Sequence, residues 1–386
     1  MNYTLIDYQI AMTFMNKVGP IKAKQLLQFG ITPEQIIEEN SKKLSKITGI
    51  KTTIFDKMNR KEALSKAIEA SKKNKKLGVR PIYFEDLEYP RRLKNCADAP
   101  LVIYQKGELD LNQSKIISMV GTRNATAYGN EICREFIKSI KDQNITVVSG
   151  LAHGIDAVVH RSCVEFNVPT IGVLGHGLDI IYPSTHRELA DKMLKQGSLI
   201  SEFVPGVKPD RENFPKRNRI VAGMTDATVV VESKIRGGSL ITANLANDYN
   251  KDVFAFPGSV HMETSRGCNH LIASQKAHLI QNSDDFLRLI GWKKKNIESG
   301  SIQKQLFLEF TNQQKKILAL IQQQSQIQLD VLSIKLALPI STLNQELFSL
   351  EMDGVIRTMP GKVYTMAQKK PQLSLRLLNI LSLIIF

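Results

Sequence analysis

The sequence predicts an α/β fold, a mostly parallel sheet with helices on both faces, and three observations predict it. Short β-branched runs recur between Ser114 and Asn282, at "KIISMV", "ITVVSG", "TIGVLG", "SLISEF", "ATVVVES", "DVFAFPG" and "AHLIQN". Helical stretches lie between them, at Asn130–Lys141, Ile155–Asn167, Arg187–Gln196, Asn218–Met224 and Leu240–Asn250. Glycines gather in the turns after the runs. Alternation of this kind forms βαβ units buried on both faces, so the sheet is Rossmann-like.

Residues 1–80 precede the sheet and read as a small all-α, SAM-like domain. "MNKVGPIKAKQLLQFG" and "LSKITGIKTTIFDKMN" each set a glycine-containing turn between helical periods. Both resemble helix-hairpin-helix motifs, which hold DNA phosphates on backbone N–H groups. Each keeps one glycine of the usual pair, Gly19 or Gly49, with Lys17 and Lys51 in the other places. A packing or partner-docking role is therefore expected ahead of direct DNA contact.

Residues 81–292 hold the sheet, and residues 293–310 read as a polar, charged linker. Residues 311–366 give three helical periods and then two short strands around Pro360 and Gly361, a winged-helix pattern. The third helix, "ISTLNQELFSLEMD", stands where a recognition helix would. It has no Lys or Arg and carries Glu346, Glu351 and Asp353. Major-groove readers need basic and amide side chains, so an interaction or stabilising module is expected. The apolar tail, residues 367–386, is interrupted by Arg376 and is too short to span a bilayer. Docking on a partner or on the protein itself is its expected use.

The chain of 386 residues has no run of 18 uncharged apolar residues and no basic leader with a cleavage site, so a cytoplasmic protein without a membrane span is expected. Cys96, Cys133, Cys163 and Cys268 are scattered and read as reduced thiols. The net charge is +15, but residues 1–80 carry +9 of it and residues 81–292 are neutral. A nucleic-acid site on the sheet domain must therefore cluster its cations.

In parallel sheets ligands bind beyond the carboxyl ends of the strands. The glycine turns there are "GTRNATAYG", "SGLAHG", "GHGLD", "RGGS" and "PGS". Any one of them reads equally well as a tight turn; jointly they suit anion binding on N–H groups and helix N-termini. None fits GxxxxGK[ST] or GxGxxG with a following acid, so no nucleotide cofactor is expected. "VVSGLAHGIDAVVHRS" places His153, Asp156 and His160 at helical spacing, as metal ligands would stand. Nothing local supplies further ligands, so no metal is expected: His160 reads as a core residue and Asp156 as a helix-start acid.

The densest signal is "KPDRENFPKRNR". Lys208, Arg211, Lys216, Arg217 and Arg219 are interleaved with Phe214 and Asn218. Single-strand grooves need cations for the backbone and an aromatic face for a base. Arg123, Lys234 and Arg236 come from nearby turns. One or two of the arginines could instead cap a helix or pair with a carboxylate.

With "GLDIIYPSTHREL", "LISEFVPG", "NFPKRNRIVAG", "GGSLITANLA", "FAFPGS" and "GCNHLI" in order, the chain resembles the DNA-processing protein A family (DprA/Smf) over Pro81–Trp292. The resemblance implies a non-catalytic homodimer that binds incoming single-stranded DNA in natural transformation, loads RecA recombinase onto it and promotes annealing. It implies DNA contacts by Arg123, Arg211 and Phe214, with Arg217, Asn218 and Arg219 forming the pocket. The expected DNA-binding set adds Lys216 and the turn residues Gly121, Gly150, Lys234, Arg236, Gly237, Gly238 and Ser239. Ser184 replaces a frequent family lysine, which puts affinity in doubt unless Arg187 substitutes.

Two other readings stay open. The sheet type also resembles nucleoside-monophosphate phosphoribohydrolases with PGGxGTxxE, but "RGGSLITAN" has Asn244 where the glutamate would fall. Glycosidic cleavage would then have to use Glu202 or Glu232. A pure adaptor, docking partners through the winged helix and tail, is the other.

Overall fold

The structure, a computed structural model, describes residues 3–293, 310–359 and 361–367. Most of the expected linker and tail fall outside these residues. The chain forms two compact units, residues 1–294 and 295–386.

The first unit opens with α1 (Leu5–Phe14), α2 (Pro20–Leu27), α3 (Pro33–Glu38), α4 (Ser41–Thr48), α5 (Thr52–Asp56) and α6 (Arg60–Leu77). Local signals set their ends. Thr32 and Gln35 form a capping box with Pro33 in the first turn of α3, and Gly49 closes α4 at φ 72°. The sheet region follows as β1 (Arg80–Tyr83), α7 (Arg91–Lys94), β2 (Val102–Lys106), β3 (Lys115–Val120), α8 (Ala127–Ile140), β4 (Ile145–Ser149), α9 (Ile155–Glu165) and β5 (Thr170–Leu174). Then come α10 (Arg187–Met193), β6 (Ser198–Ser201), α11 (Asn213–Gly223), β7 (Ala227–Val230), α12 (Gly238–Asp248), β8 (Asp252–Ala255), α13 (Arg266–Ala273), β9 (His278–Leu279) and α14 (Ser283–Leu289).

The sheet has nine strands in the order β1-β2-β6-β5-β4-β3-β7-β8-β9. All neighbours from β6 to β9 pair in parallel, whereas β1–β2 and β2–β6 pair antiparallel. The antiparallel edge carries no sequence signal of the strength found in the centre. Pro81 sits inside β1, a residue that only an edge accepts.

Side-chain alternation splits the sheet's interior. Ile117, Met119, Val147, Val229 and Phe254 pack under α8, α9 and α14. Their neighbours Ile116, Val148, Val230 and Val253 pack under α11, α12 and α13. The N-terminal helices share a further core with Tyr83, Val102, Tyr104, Leu174 and Leu199 of the sheet. A continuous core thus runs across the boundary expected near residue 80.

The second unit contains α15 (Asn312–Gln324), β10 (Gln326–Gln328), α16 (Leu329–Leu336), α17 (Ile340–Met352), β11 (Ile356–Met359) and β12 (Val363–Met366). It is a winged helix, but its sheet has three strands in the order β10-β12-β11, where the sequence predicts two. Ile327 of β10 is buried and joins Leu332, Leu343, Leu347 and Tyr364 in the core. On α17, Phe348 is 66 % exposed, and no cation accompanies it on that helix.

Candidate nucleic-acid interface

Strand order reverses between β3 and β7: β4, β5 and β6 extend to one side, β8 and β9 to the other. The turns leaving β3 and β7 diverge to opposite faces at such a point and leave a crevice. A cavity of about 470 Å³ lies there. Gly121, Thr122 and Arg123 line it from the turn after β3, and Gly150, Ala152 and Asp156 from the turn after β4. The turn after β7 supplies Lys234, Arg236, Gly237, Gly238 and Ser239, while α11 supplies Phe214, Arg217 and Asn218.

Five cations, Arg123, Arg217, Lys234, Arg236 and Arg266, line this cavity against two carboxylates, Asp156 and Glu263. The neutral sheet domain therefore does cluster its positive charge. Arg123 lies over the Phe214 ring at 5.6 Å from its centroid, and the Tyr182 ring is 6.0 Å from Phe214 at a tilt of 33°. Helix α12 begins here with no side-chain cap, and open space surrounds the α-carbon of Gly238 on its side-chain side. Lys234 pairs with Glu263 at 2.8 Å, an exposed contact of small energy.

Arg217 is a different kind of residue from the others. It is only 4 % exposed and donates through Nη1 to the Val173 carbonyl. A side chain at position 150 would place its first carbon 2.0 Å from Arg217 Nη1, so only glycine fits beneath this guanidinium. Burial lifts the Asp156 carboxyl above its usual range, and attraction to Arg217 opposes that rise. Gly154, at φ 76°, lets the chain turn into α9 where a larger residue would meet the Thr122 carbonyl at 2.2 Å. These groups form the rigid floor.

Several residues expected at the site are elsewhere. Arg219 pairs with Glu202 and also donates to the Asp98 carbonyl, away from the cavity lining. Arg211 and Lys216 are exposed on and before α11 but do not line the cavity either. Helix α11 starts at Asn213, five residues before its expected start at Asn218, which is why its cations point around a helix instead of along one loop. Ser239 lines the cavity but is largely buried, its hydroxyl donating to Ser233 Oγ at 2.7 Å. Asp156 and Arg266 line the cavity without belonging to the expected DNA-binding set, and Tyr182 stands beside it against Phe214. Arg266 had a visible signal, since it stands immediately before the "GCNHLI" block.

The acids that cleavage chemistry would need are already engaged. Glu232 accepts from the Thr126 backbone N–H at 3.0 Å and from its hydroxyl at 2.7 Å, fixing the start of α8. Glu202 holds Arg219.

The three residues with metal-like spacing do not converge. His153 is exposed with its ring 5.0 Å from that of His186, and His160 is fully buried with Nδ1 2.8 Å from Thr170 Oγ1. The Thr170 hydroxyl donates to the Val147 carbonyl, so Nδ1 of His160 carries the proton and Thr170 accepts it. Burial holds His160 down to about 3. A depressed folded value means that the unfolded chain takes up the proton first. Stability from neutral His160 is complete above about pH 6.5 and is lost as pH falls toward the folded value. His160→Gln should therefore flatten the fall of melting temperature with acid in that window, as thermal denaturation at pH 7, 6, 5 and 4 would register.

No helix among the described residues is long and apolar enough to cross a membrane. Residues 80–291 match the family model described as DNA recombination-mediator protein A, and residues 309–362 match the DprA winged helix domain. Protein Smf of Synechocystis sp. is 32% identical over 92% of this chain and 98% of its own length. The DNA processing protein DprA of Bacillus subtilis is 39% identical over 54% of this chain and 70% of its own length. The X-ray structure of DNA processing protein A from Streptococcus pneumoniae superposes with a TM-score of 0.63 at 31% identity, covering 75% of this chain and 98% of that one. DNA processing protein A of Helicobacter pylori, whose structure addresses its own single-stranded DNA binding mode, shares the fold at a TM-score of 0.50 and 24% identity, covering 55% of this chain and 95% of that one. With the sheet, the winged helix and the full-length relative all in agreement, the chain belongs to the DNA recombination-mediator protein A family.

Proposed function

We propose that the crevice between β3 and β7 binds single-stranded DNA, and that the protein acts as a cytoplasmic homodimer that loads RecA onto incoming strands in natural transformation. The observation that carries the reading is the lining itself: five cations around one reachable aromatic ring in a domain whose charges balance as a whole. The names of the Bacillus and Streptococcus relatives, both DNA processing proteins, support it.

In this reading Arg123, Lys234, Arg236 and Arg266 neutralise phosphates, and the uncapped start of α12 donates the N–H of Gly238, that of Gly237 being bonded to the Lys234 carbonyl. Phe214 stacks a base. Gly121, Gly150, Arg217, Asn218 and Ser239 shape the floor, while Arg211 and Lys216 extend the basic track outside the cavity. Duplex binds more weakly because paired bases cannot reach Phe214. The chemistry is binding without bond cleavage. Residues 81–292 are the DNA-binding unit, and residues 1–80 and 311–366 serve partner contacts.

Fluorescence anisotropy with labelled single- and double-stranded oligonucleotides tests this. A strong single-strand preference is expected, with log K falling by about 0.7 per neutralised phosphate per log unit of salt. Removal of residues 295–386 should leave that binding within a few-fold of the full chain. Loss of binding on truncation would move the site to the winged helix or tail.

A further inference from the structure

A second concavity, of about 820 Å³, lies in the N-terminal helical region, apart from the crevice. Its walls are the two turns that the sequence marks out: residues 16–18 before α2, and Ile50, Ile54 and Met58 around α5. Leu26 and Phe29 come from α2 and the residues after it. Val18, Leu26 and Met58 are buried at its base, whereas Phe29 and Ile54 are each 48 % exposed. Two large apolar side chains at one groove, half open to water, are unusual in a segment so rich in lysine.

The rim is basic. Lys17, Lys22 and Lys57 line the groove, no carboxylate does, and none of these lysines forms an ion pair among the described residues. That combination narrows the occupant. Duplex DNA has the charge but offers no apolar surface to fill the groove. The chain's own tail has the apolar residues but brings Lys369, Lys370 and Arg376 to a lysine rim. An acidic segment with large apolar side chains satisfies both requirements.

We propose that this groove is a docking site for an acidic, amphipathic peptide segment of a partner protein, whose Leu or Phe side chains enter between Phe29 and Ile54 while its carboxylates meet Lys17, Lys22 and Lys57. Anchor residues in a groove supply the affinity, and the charged rim supplies selectivity and a salt-dependent association rate. The site is independent of the single-strand crevice.

The test uses the full chain and a fluorescein-labelled synthetic peptide, Glu-Glu-Leu-Phe-Glu-Glu-Leu-Leu-Glu-Glu, read by anisotropy. A twin with lysine in place of every glutamate serves as the reference. Saturable binding of the acidic peptide is expected, weakening as salt rises, with at least tenfold weaker binding of the basic twin. Lys22→Glu and, separately, Ile54→Glu should each weaken the acidic peptide at least tenfold. Both positions are exposed, and circular dichroism with an unchanged melting temperature verifies the fold of each variant. Absence of binding, equal binding of the two peptides, or binding that survives both substitutions would overturn the proposal. A labelled duplex that loses binding in these variants while the peptide does not would identify the groove as a DNA site instead.

Discussion

Arg217→Ala is expected to destabilise the protein by about 1–3 kcal/mol at pH 7, the usual cost of leaving a buried hydrogen-bonding group without its partner. Asp156 would remain buried beneath the crevice, and the Val173 carbonyl would lose its donor. The dependence on pH gives the effect a signature. Burial already raises the folded-state value of Asp156, and Arg217 restrains that rise. Without the arginine the folded value climbs further above the unfolded value near 3.9. A raised folded value means that the folded state holds the proton more tightly. Stability is then greatest below the unfolded value and falls as pH rises through the folded one. The gap between variant and wild type should therefore shrink on going from pH 7 to pH 5, and adding Asp156→Asn should recover part of the loss at pH 7. Urea denaturation at the two pH values measures both. A gap that is constant with pH would assign the loss to packing and the Val173 bond alone.

Replacing Arg123 by glutamate together with Phe214→Ala should remove most single-strand affinity while leaving the melting temperature within a few degrees. Removal of a stacking aromatic costs about 1–3 kcal/mol, roughly five- to 150-fold in affinity. Arg123→Glu alone should also reduce the salt slope by about 0.7, because one phosphate is no longer neutralised. The two changes should not add, since the guanidinium lies over the same ring it would help to present. Arg211→Glu, by contrast, should weaken binding only severalfold, because Arg211 is exposed and does not line the cavity. A larger loss at Arg211 than at Arg123 would shift the strand's path out of the crevice and onto the outer face of α11.

The serine at position 184 has an intelligible setting. Ser184 is exposed in a short helical turn beside Tyr182, and Tyr182 packs near Phe214. Ser184→Lys should therefore raise single-strand affinity and steepen its salt dependence, provided that the strand continues past Tyr182. Anisotropy over the same salt series reads both quantities.

How much was legible in advance differs from residue to residue. The parallel strands were plain because each is a run of β-branched residues followed by a glycine turn. Gly121, Arg123, Gly150, Lys234 and Arg236 could be grouped because parallel sheets send every such turn to one edge. The antiparallel strands β1 and β2 lie before the alternating region, and their place in the sheet is set by long-range pairing, β1 on β2 and β2 on β6. Strand β10 was not legible, because its three residues become a strand only against β12.

The fate of the arginines is the clearest division. The sequence alone determines that positions 211, 216, 217 and 219 are basic and that an aromatic stands among them. It cannot say which face of the chain each occupies, because that depends on where α11 begins and what surrounds it. Once α11 starts at Asn213, successive side chains lie about 100° apart around its axis. Arg217 then turns inward over Gly150, Arg219 turns toward Glu202, and Lys216 faces water. Composition and periodicity, being local, fixed the fold class and the turns. The partners of a charge are distant in sequence, and only tertiary packing decided them.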